Sequence, residues 1–143
     1  MLIGEYKHTI DAKKRLAIPS KLRKELGAKM VITKGLDNCL WILPLNQWNK
    51  LAEKLSQLPL GQRDTRGFNR IMLAGASEVK LDKLGRILIP DYLKRYADLK
   101  KNVLIAGVYN RVEIWDEAKW NLFKQTTEKE VDNIAERLGE LGV

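Results

Sequence analysis

One stretch occurs twice in this chain, and it constrains the fold more than any other feature. The first copy runs Ile10-Asp11-Ala12-Lys13-Lys14-Arg15-Leu16-Ala17-Ile18-Pro19-Ser20-Lys21-Leu22. The second runs Leu81-Asp82-Lys83-Leu84-Gly85-Arg86-Ile87-Leu88-Ile89-Pro90-Asp91-Tyr92-Leu93. Each reads as an aliphatic residue, Asp-x-x-x-Arg, aliphatic-x-Ile-Pro, and a helix-like start. The likeness continues well past the motif. Arg15 precedes Trp48 by 33 residues and Arg86 precedes Trp120 by 34, while Gly35 matches Gly107 and Ile42 matches Ile114. Strand, turn, strand and tryptophan in the same order twice over mark an internal duplication.

Local chemistry sets the expected elements. Gly4–Ile10 and Arg15–Ile18 alternate as strands and suggest a β-hairpin, with Asp11 suited to its turn because a short carboxylate accepts backbone N–H groups two residues on. Pro19 stops the ladder, Ser20 is placed to cap a short helix over Leu22 and Leu26, and Gly27 ends it. Residues 30–33 and 40–43 read as a strand pair around a Lys34–Asn38 turn. A helix carrying Trp48, Leu51, Ala52, Leu55 and Leu58 on one face follows. Residues 62–75 predict a second helix with Phe68, Ile71 and Met72 inward and Arg63, Arg66 and Arg70 outward. The plan then repeats: a hairpin of residues 79–81 and 86–89, Asp91 as helix cap, a strand at 103–106, a turn at 107–110 and a return strand at 112–115. Trp120, Phe123, Val131, Ile134, Leu138 and Leu141 predict a long amphipathic helix, weakened in its middle by Thr126 and Thr127. The corresponding division is a first repeat with its helix over residues 1–58, a helical connection over 59–78 and a second repeat over 79–143.

Charge is concentrated on the repeats. Of a net +8, residues 1–27 and residues 79–101 each carry seven basic against three acidic side chains, whereas residues 102–143 carry five against eight. A clustered positive charge is the footprint of a polyanion binder. The single cysteine, Cys39, excludes an intramolecular disulfide or a cysteine cluster within the chain. No apolar run reaches the length of a membrane span, no signal peptide is evident, and the expected compartment is the cytoplasm. Enzyme chemistry finds little support. His8 is the only histidine, and there is no nucleophile elbow, Walker loop or paired metal ligand. Asp11 and Asp82 could pair as carboxylates, but each has a turn to stabilise and an arginine close by. No cofactor and no small-molecule substrate are expected.

The bland account of each Asp-x-x-x-Arg is a hairpin salt bridge of about 0–1 kcal/mol. The sharper one is a rigid guanidinium fork aimed at phosphate or a guanine edge, with Asp11 and Asp82 orienting Arg15 and Arg86. Alternation puts each arginine on the face opposite its aliphatic neighbours. Lys13 and Lys14 crowd positive charge around the first copy, which ranks Arg15 above Arg86. An acidic protein partner and RNA are the rival ligands, though no aromatic platform for stacking bases lies among the basic residues.

The duplicated hairpins, with Ala74-Gly75-Ala76-Ser77-Glu78 before the second and Glu113-Ile114-Trp115-Asp116 after it, resemble the paired motifs of the MraZ family. That family belongs to the AbrB/SpoVT swapped-hairpin superfamily, and the resemblance covers nearly the whole chain. It implies an α+β fold: a duplicated AbrB-like swapped-hairpin β-barrel core with peripheral helices, pseudo-twofold within one chain. It also implies a ring-shaped homo-oligomer and a bacterial, nucleoid-associated transcriptional regulator. Such a regulator binds double-stranded DNA at direct repeats upstream of the division and cell-wall gene cluster that includes its own gene. Residue by residue, the motif positions are Asp11 and Arg15, then Asp82 and Arg86. Lys13, Lys14 and Lys83 are the expected accompanying DNA contacts, and Gly85 is the expected turn residue. The glycine before arginine is replaced by Lys14 in the first copy. Either Lys14 takes a left-handed conformation at a cost of about 1 kcal/mol, or the first turn differs and the lysine adds a phosphate contact.

Overall fold

The two hairpins form only at their turns; their strands then part and find partners in the other half of the chain. In the computed structural model, which describes residues 1–143, β1 (Leu2–Thr9) and β2 (Arg15–Ala17) meet through a single bridge, Ile10 to Leu16. Strand β1 instead pairs antiparallel along its whole length with β7 (Asn102–Tyr109), and β2 pairs with β6 (Arg86–Leu88). On the other side, β5 (Ser77–Lys80) pairs with β3 (Lys29–Lys34). The expected β1–β2 and β5–β6 hairpins are therefore corrected. Alternation decided which face each residue takes, whereas the partner is a contact 45 residues away (Ile32 with Ser77) to 107 residues away (Leu2 with Tyr109).

With β4 (Leu40–Pro44) and β8 (Val112–Asp116), the strands form a six-stranded antiparallel sheet in the order β1-β7-β8-β4-β3-β5, and β2 with β6 form a separate ribbon. Exchanging the two halves maps this order onto its own reverse, so the pseudo-twofold runs between β4 and β8. Loop bonds obey the same symmetry. Ile10 N donates to Lys101 O at 2.8 Å and Leu81 N to Ala28 O at 2.9 Å, while Ile18 N donates to Gly85 O and Ile89 N to Lys14 O, both at 2.9 Å. The fold is α+β, but strand pairing does not close the expected barrel: an open sheet and a two-stranded ribbon stand in its place.

One apolar core joins the halves. Leu16, Ile18, Ile87 and Ile89 from beneath the ribbon pack with Leu22, Leu26, Leu93, Ile32, Ile42, Ile105 and Ile114. Helices α1 (Ser20–Leu26) and α4 (Asp91–Tyr96) begin straight after Pro19 and Pro90, which themselves take the N-cap position. Neither Ser20 nor Asp91 makes the expected capping bond. Proline's fixed φ suits this entry, and the proline carbonyls accept the first helical N–H groups, from Leu22 and from Leu93.

Helix α2 (Leu45–Ser56) places Leu55 in the interior and half-buries Trp48, Leu51 and Ala52, while Leu58, past its end, is exposed. The single helix expected over 62–75 becomes α3 (Arg63–Asn69) followed by a π-helical turn, Arg70–Ala74. The wider turn shifts the register, so that Met72 is buried but Phe68 and Ile71 are exposed, contrary to expectation. Thr33, itself buried, holds the turn by donating its hydroxyl to the Met72 carbonyl at 2.8 Å.

Gly107, expected in a turn, lies inside β7 opposite Gly4; a Cβ there would sit 2.6 Å from Ile3 N. Backbone approach, not turn chemistry, is what this glycine provides. Helix α5 (Glu117–Leu138) runs unbroken through its two threonines, with the Thr126 hydroxyl donating back to Leu122 O at 3.0 Å. Its first turns pack Trp120 and Phe123 on Trp115 of β8 at 5.1–5.4 Å between ring centroids. No helix is long and apolar enough to cross a membrane.

The sheet's outer face is tied by one buried carboxylate. Glu113 accepts from Trp41 Nε1 (3.1 Å), Trp115 Nε1 (3.0 Å) and the Arg111 guanidinium (3.0 and 3.2 Å). Arg111 in turn lies over the Trp41 ring. Removing the carboxylate strands two indole donors and a half-buried cation. Glu113→Ala is expected to lower stability by about 2–3 kcal/mol, read by denaturant unfolding followed through tryptophan fluorescence.

Candidate nucleic-acid interface

Each Asp-x-x-x-Arg is a closed hydrogen-bonded unit, and the two are superimposable bond for bond. Asp11 Oδ1 accepts the backbone N–H groups of Lys13 and Arg15, both at 2.9 Å, and Asp11 Oδ2 accepts Arg15 Nε at 2.9 Å. Asp82 Oδ1 accepts from Leu84 and Arg86, and its Oδ2 from Arg86 Nε, again all at 2.9 Å. The Asp11 and Asp82 carbonyls close the turns by accepting from Lys14 N and Gly85 N. Backbone N–H donation, then the arginine side chain, holds both carboxyls below the ordinary aspartate range.

The ribbon register sets Arg15 opposite Leu88, Leu16 opposite Ile87 and Ala17 opposite Arg86. Leu16 and Ile87 point into the core, so Arg15, Ala17, Arg86 and Leu88 share the outer face. The two arginines are diagonal neighbours there, and Arg86 Nη1 also lies 4.0 Å from Asp11 Oδ2. Each guanidinium is gripped at Nε, and no hydrogen bond within the chain uses its Nη donors. Lys13 and Lys83 are exposed at the tips of turns on opposite ends of the ribbon.

The sequence-predicted residues thus converge on one surface, with one exception in state. The Lys14 ammonium is ion-paired to Asp91 at the start of α4, so its charge is partly spent. Three residues were not anticipated. Leu84 and Leu88 are exposed beside the arginines. Arg23 of α1 donates Nε to Ile18 O at 2.7 Å and lays its guanidinium on the second turn. Alternation could have exposed Leu88, and alignment of the copies shows Leu84 where Lys13 stands; Arg23 acts across the halves and leaves no local signal.

Both turns require a left-handed residue: φ is +63° at Lys14 and +75° at Gly85. Of the two alternatives for the first copy, strain is therefore the one realised. A Cβ at Gly85 would meet Arg23 Cζ at 2.2 Å, so any side chain there displaces the Arg23 guanidinium. Gly85→Lys is expected to cost about 2 kcal/mol, from left-handed strain and a displaced Arg23. In Lys14→Gly the relieved strain is offset by the lost Asp91 pair, leaving a change within about 1 kcal/mol. Urea unfolding of both variants checks the inequality. The lowered Asp11 and Asp82 values fix the sign of a pH effect. Their contribution is complete above the unfolded aspartate range and is lost as pH falls through the lower folded values. Asp11→Asn/Asp82→Asn should be less stable at neutral pH and show a flatter acid limb in thermal melts run against pH.

Comparison of the sequence with known proteins matches the chain to a family. The family model described as "MraZ protein, putative antitoxin-like" matches twice, over residues 1–71 and 72–140. Proteins named transcriptional regulator MraZ align end to end with this chain, covering all of both sequences. The one from Natranaerobius thermophilus is 48% identical, that from Acetivibrio thermocellus 49% and that from Caldicellulosiruptor saccharolyticus 51%. The doubled Asp-x-x-x-Arg ribbon belongs to a chain that is a member of the MraZ family, whose named relatives are transcriptional regulators.

Proposed function

We propose that the outer face of the β2–β6 ribbon reads double-stranded DNA in transcription regulation. The observation that carries this reading is the pair of arginines on one antiparallel ribbon, each clamped at Nε with no hydrogen bond on its Nη donors. A two-stranded ribbon fits the major groove, and a guanidinium fork matches the guanine O6/N7 edge. Clamping by Asp11 or Asp82 lowers the entropy lost when that fork binds. Lys13 and Lys83 at the tips are placed as phosphate contacts that set register, with Lys14 a weaker one because Asp91 holds it.

The finer reading follows the family resemblance. The chain is two AbrB-like repeats, residues 1–58 and 79–143, joined by a helical connection at 59–78, with interleaved hairpins acting as one swapped unit. Copies assemble into a ring that places ribbons side by side. Direct repeats upstream of the division and cell-wall gene cluster, including the protein's own gene, are the target, and the protein resides on the nucleoid. Arrayed ribbons reading repeated sites gain avidity without any one binding tightly.

Gel-shift titration on the DNA upstream of its own gene tests the residue roles. Arg15→Ala is expected to lose specific affinity by about 10-fold or more while non-specific binding changes little. Lys13→Ala should weaken specific and random DNA alike and reduce the salt dependence by about one phosphate. Unchanged binding by Arg15→Ala removes the assignment of that arginine, and affinity indifferent to salt removes DNA as the ligand.

A further inference from the structure

Two apolar surfaces are left without a partner inside the chain, and their charges are opposite. The first is the far half of α5. Trp120, Phe123, Thr127, Val131, Ile134, Leu138 and Leu141 recur at spacings of three and four, one continuous stripe. Only its beginning is used: Trp120 and Lys124 bond to Glu5, and Phe123 packs on Trp115. Beyond Lys124 the helix has no partner, with Val131, Leu138 and Leu141 exposed and none of its residues buried. From Lys124 to Leu138 this is about 21 Å of helix at 1.5 Å per residue. Residues 128–143 hold five acidic side chains against two basic.

The second surface is the groove between α3, its π-helical turn and α4. Leu36, Phe68, Ile71 and Tyr96 line it, with two basic side chains, Arg63 and Arg70, against one acidic, Asp64. Phe68 and Ile71 are turned outward here by the π-helical turn that buries Met72. Neither Arg63 nor Arg70 takes part in any ion pair of the chain.

We infer that the acidic far half of α5 from one copy docks in the arginine-flanked groove of a second copy. Pairing of two α5 helices would set acidic surface against acidic surface, whereas the groove offers apolar contact and opposite charge together. Helix and groove are different patches of one chain. The contact is therefore head-to-tail, can be repeated from copy to copy, and closes a ring when the rotation between copies allows. It leaves the ribbon uncovered. This inference deepens the assembly part of the proposed function and rests on that part alone.

Sedimentation velocity of the full chain and of two double variants tests it. Val131→Asp/Leu138→Asp spoils the helix, and Phe68→Asp/Ile71→Asp spoils the groove. All four side chains are exposed in the single chain, and circular dichroism verifies that both variants keep the fold. The wild type is expected to sediment as an assembly and each variant as a single chain. Mixed, the two variants still share one intact helix and one intact groove, so they should form a 1:1 dimer and stop there. Assembly persisting in either variant, or a mixture that stays monomeric, overturns the docking while leaving assembly in place. Dissociation of the helix variant alone points to α5 self-pairing and also overturns it. A monomeric wild type removes the ring together with this contact.

Discussion

The carboxylate of each motif aspartate is the interaction on which the rest of this structure depends. Its two oxygens do different work. One accepts two backbone N–H groups and so shapes the turn; the other takes arginine Nε and so aims the side chain. A turn shaped this way sends the following strand across the molecule, where Leu16 and Ile18 meet Ile87 and Ile89 in the common core. Because the second turn is built identically, the ribbon that results has an arginine from each half on one face. The aliphatic residues of both halves share one core, so folding and construction of the ribbon's outer face go together. The energy of a single exposed Asp–Arg pair is small; the consequence comes from its place in the topology.

The halves are equal in topology and unequal in chemistry. Turn one carries Lys14 in a left-handed conformation and ties it to Asp91 on the helix of the second half. Turn two carries Gly85 and receives Arg23 from the helix of the first half. Each turn is thus braced by the opposite half, once by an ion pair and once by a packed guanidinium. Tip chemistry differs as well, Lys13 at one end and Leu84 at the other. A surface of this kind presents two distinguishable ends to a ligand, which suits a target read in a fixed direction.

Much of this was legible in the residues. The duplication, the strand–turn–strand–helix plan, the outward faces of Arg15 and Arg86 and the turn role of Asp11 and Asp82 all follow from local pattern. What failed to show was mostly a long-range choice, the caps expected of Ser20 and Asp91 being the local exceptions. Alternation cannot say that β2 pairs with β6 in preference to β1, because both partners satisfy the same face rule. Around Phe68 and Ile71 the helix changes to a π-helical turn whose Met72 carbonyl accepts from Thr33, a partner far off in the chain. Gly107 looked like a turn glycine because the need for it lies in the opposing strand at Leu2 and Ile3. Arg23 has no motif; its role exists only once the halves interleave.

The central claim is that the ribbon's outer face meets the bases of DNA. Ala17 sits on that face, opposite Arg86 and two residues from Arg15, and a photo-crosslinking residue placed there reports directly on what covers it. Irradiation of the complex with DNA from upstream of the protein's own gene is predicted to give crosslinks to bases within the protected repeats. Intact DNA binding with no crosslink from position 17, and efficient crosslinking from an exposed position on α5 such as Gln125, would contradict the account.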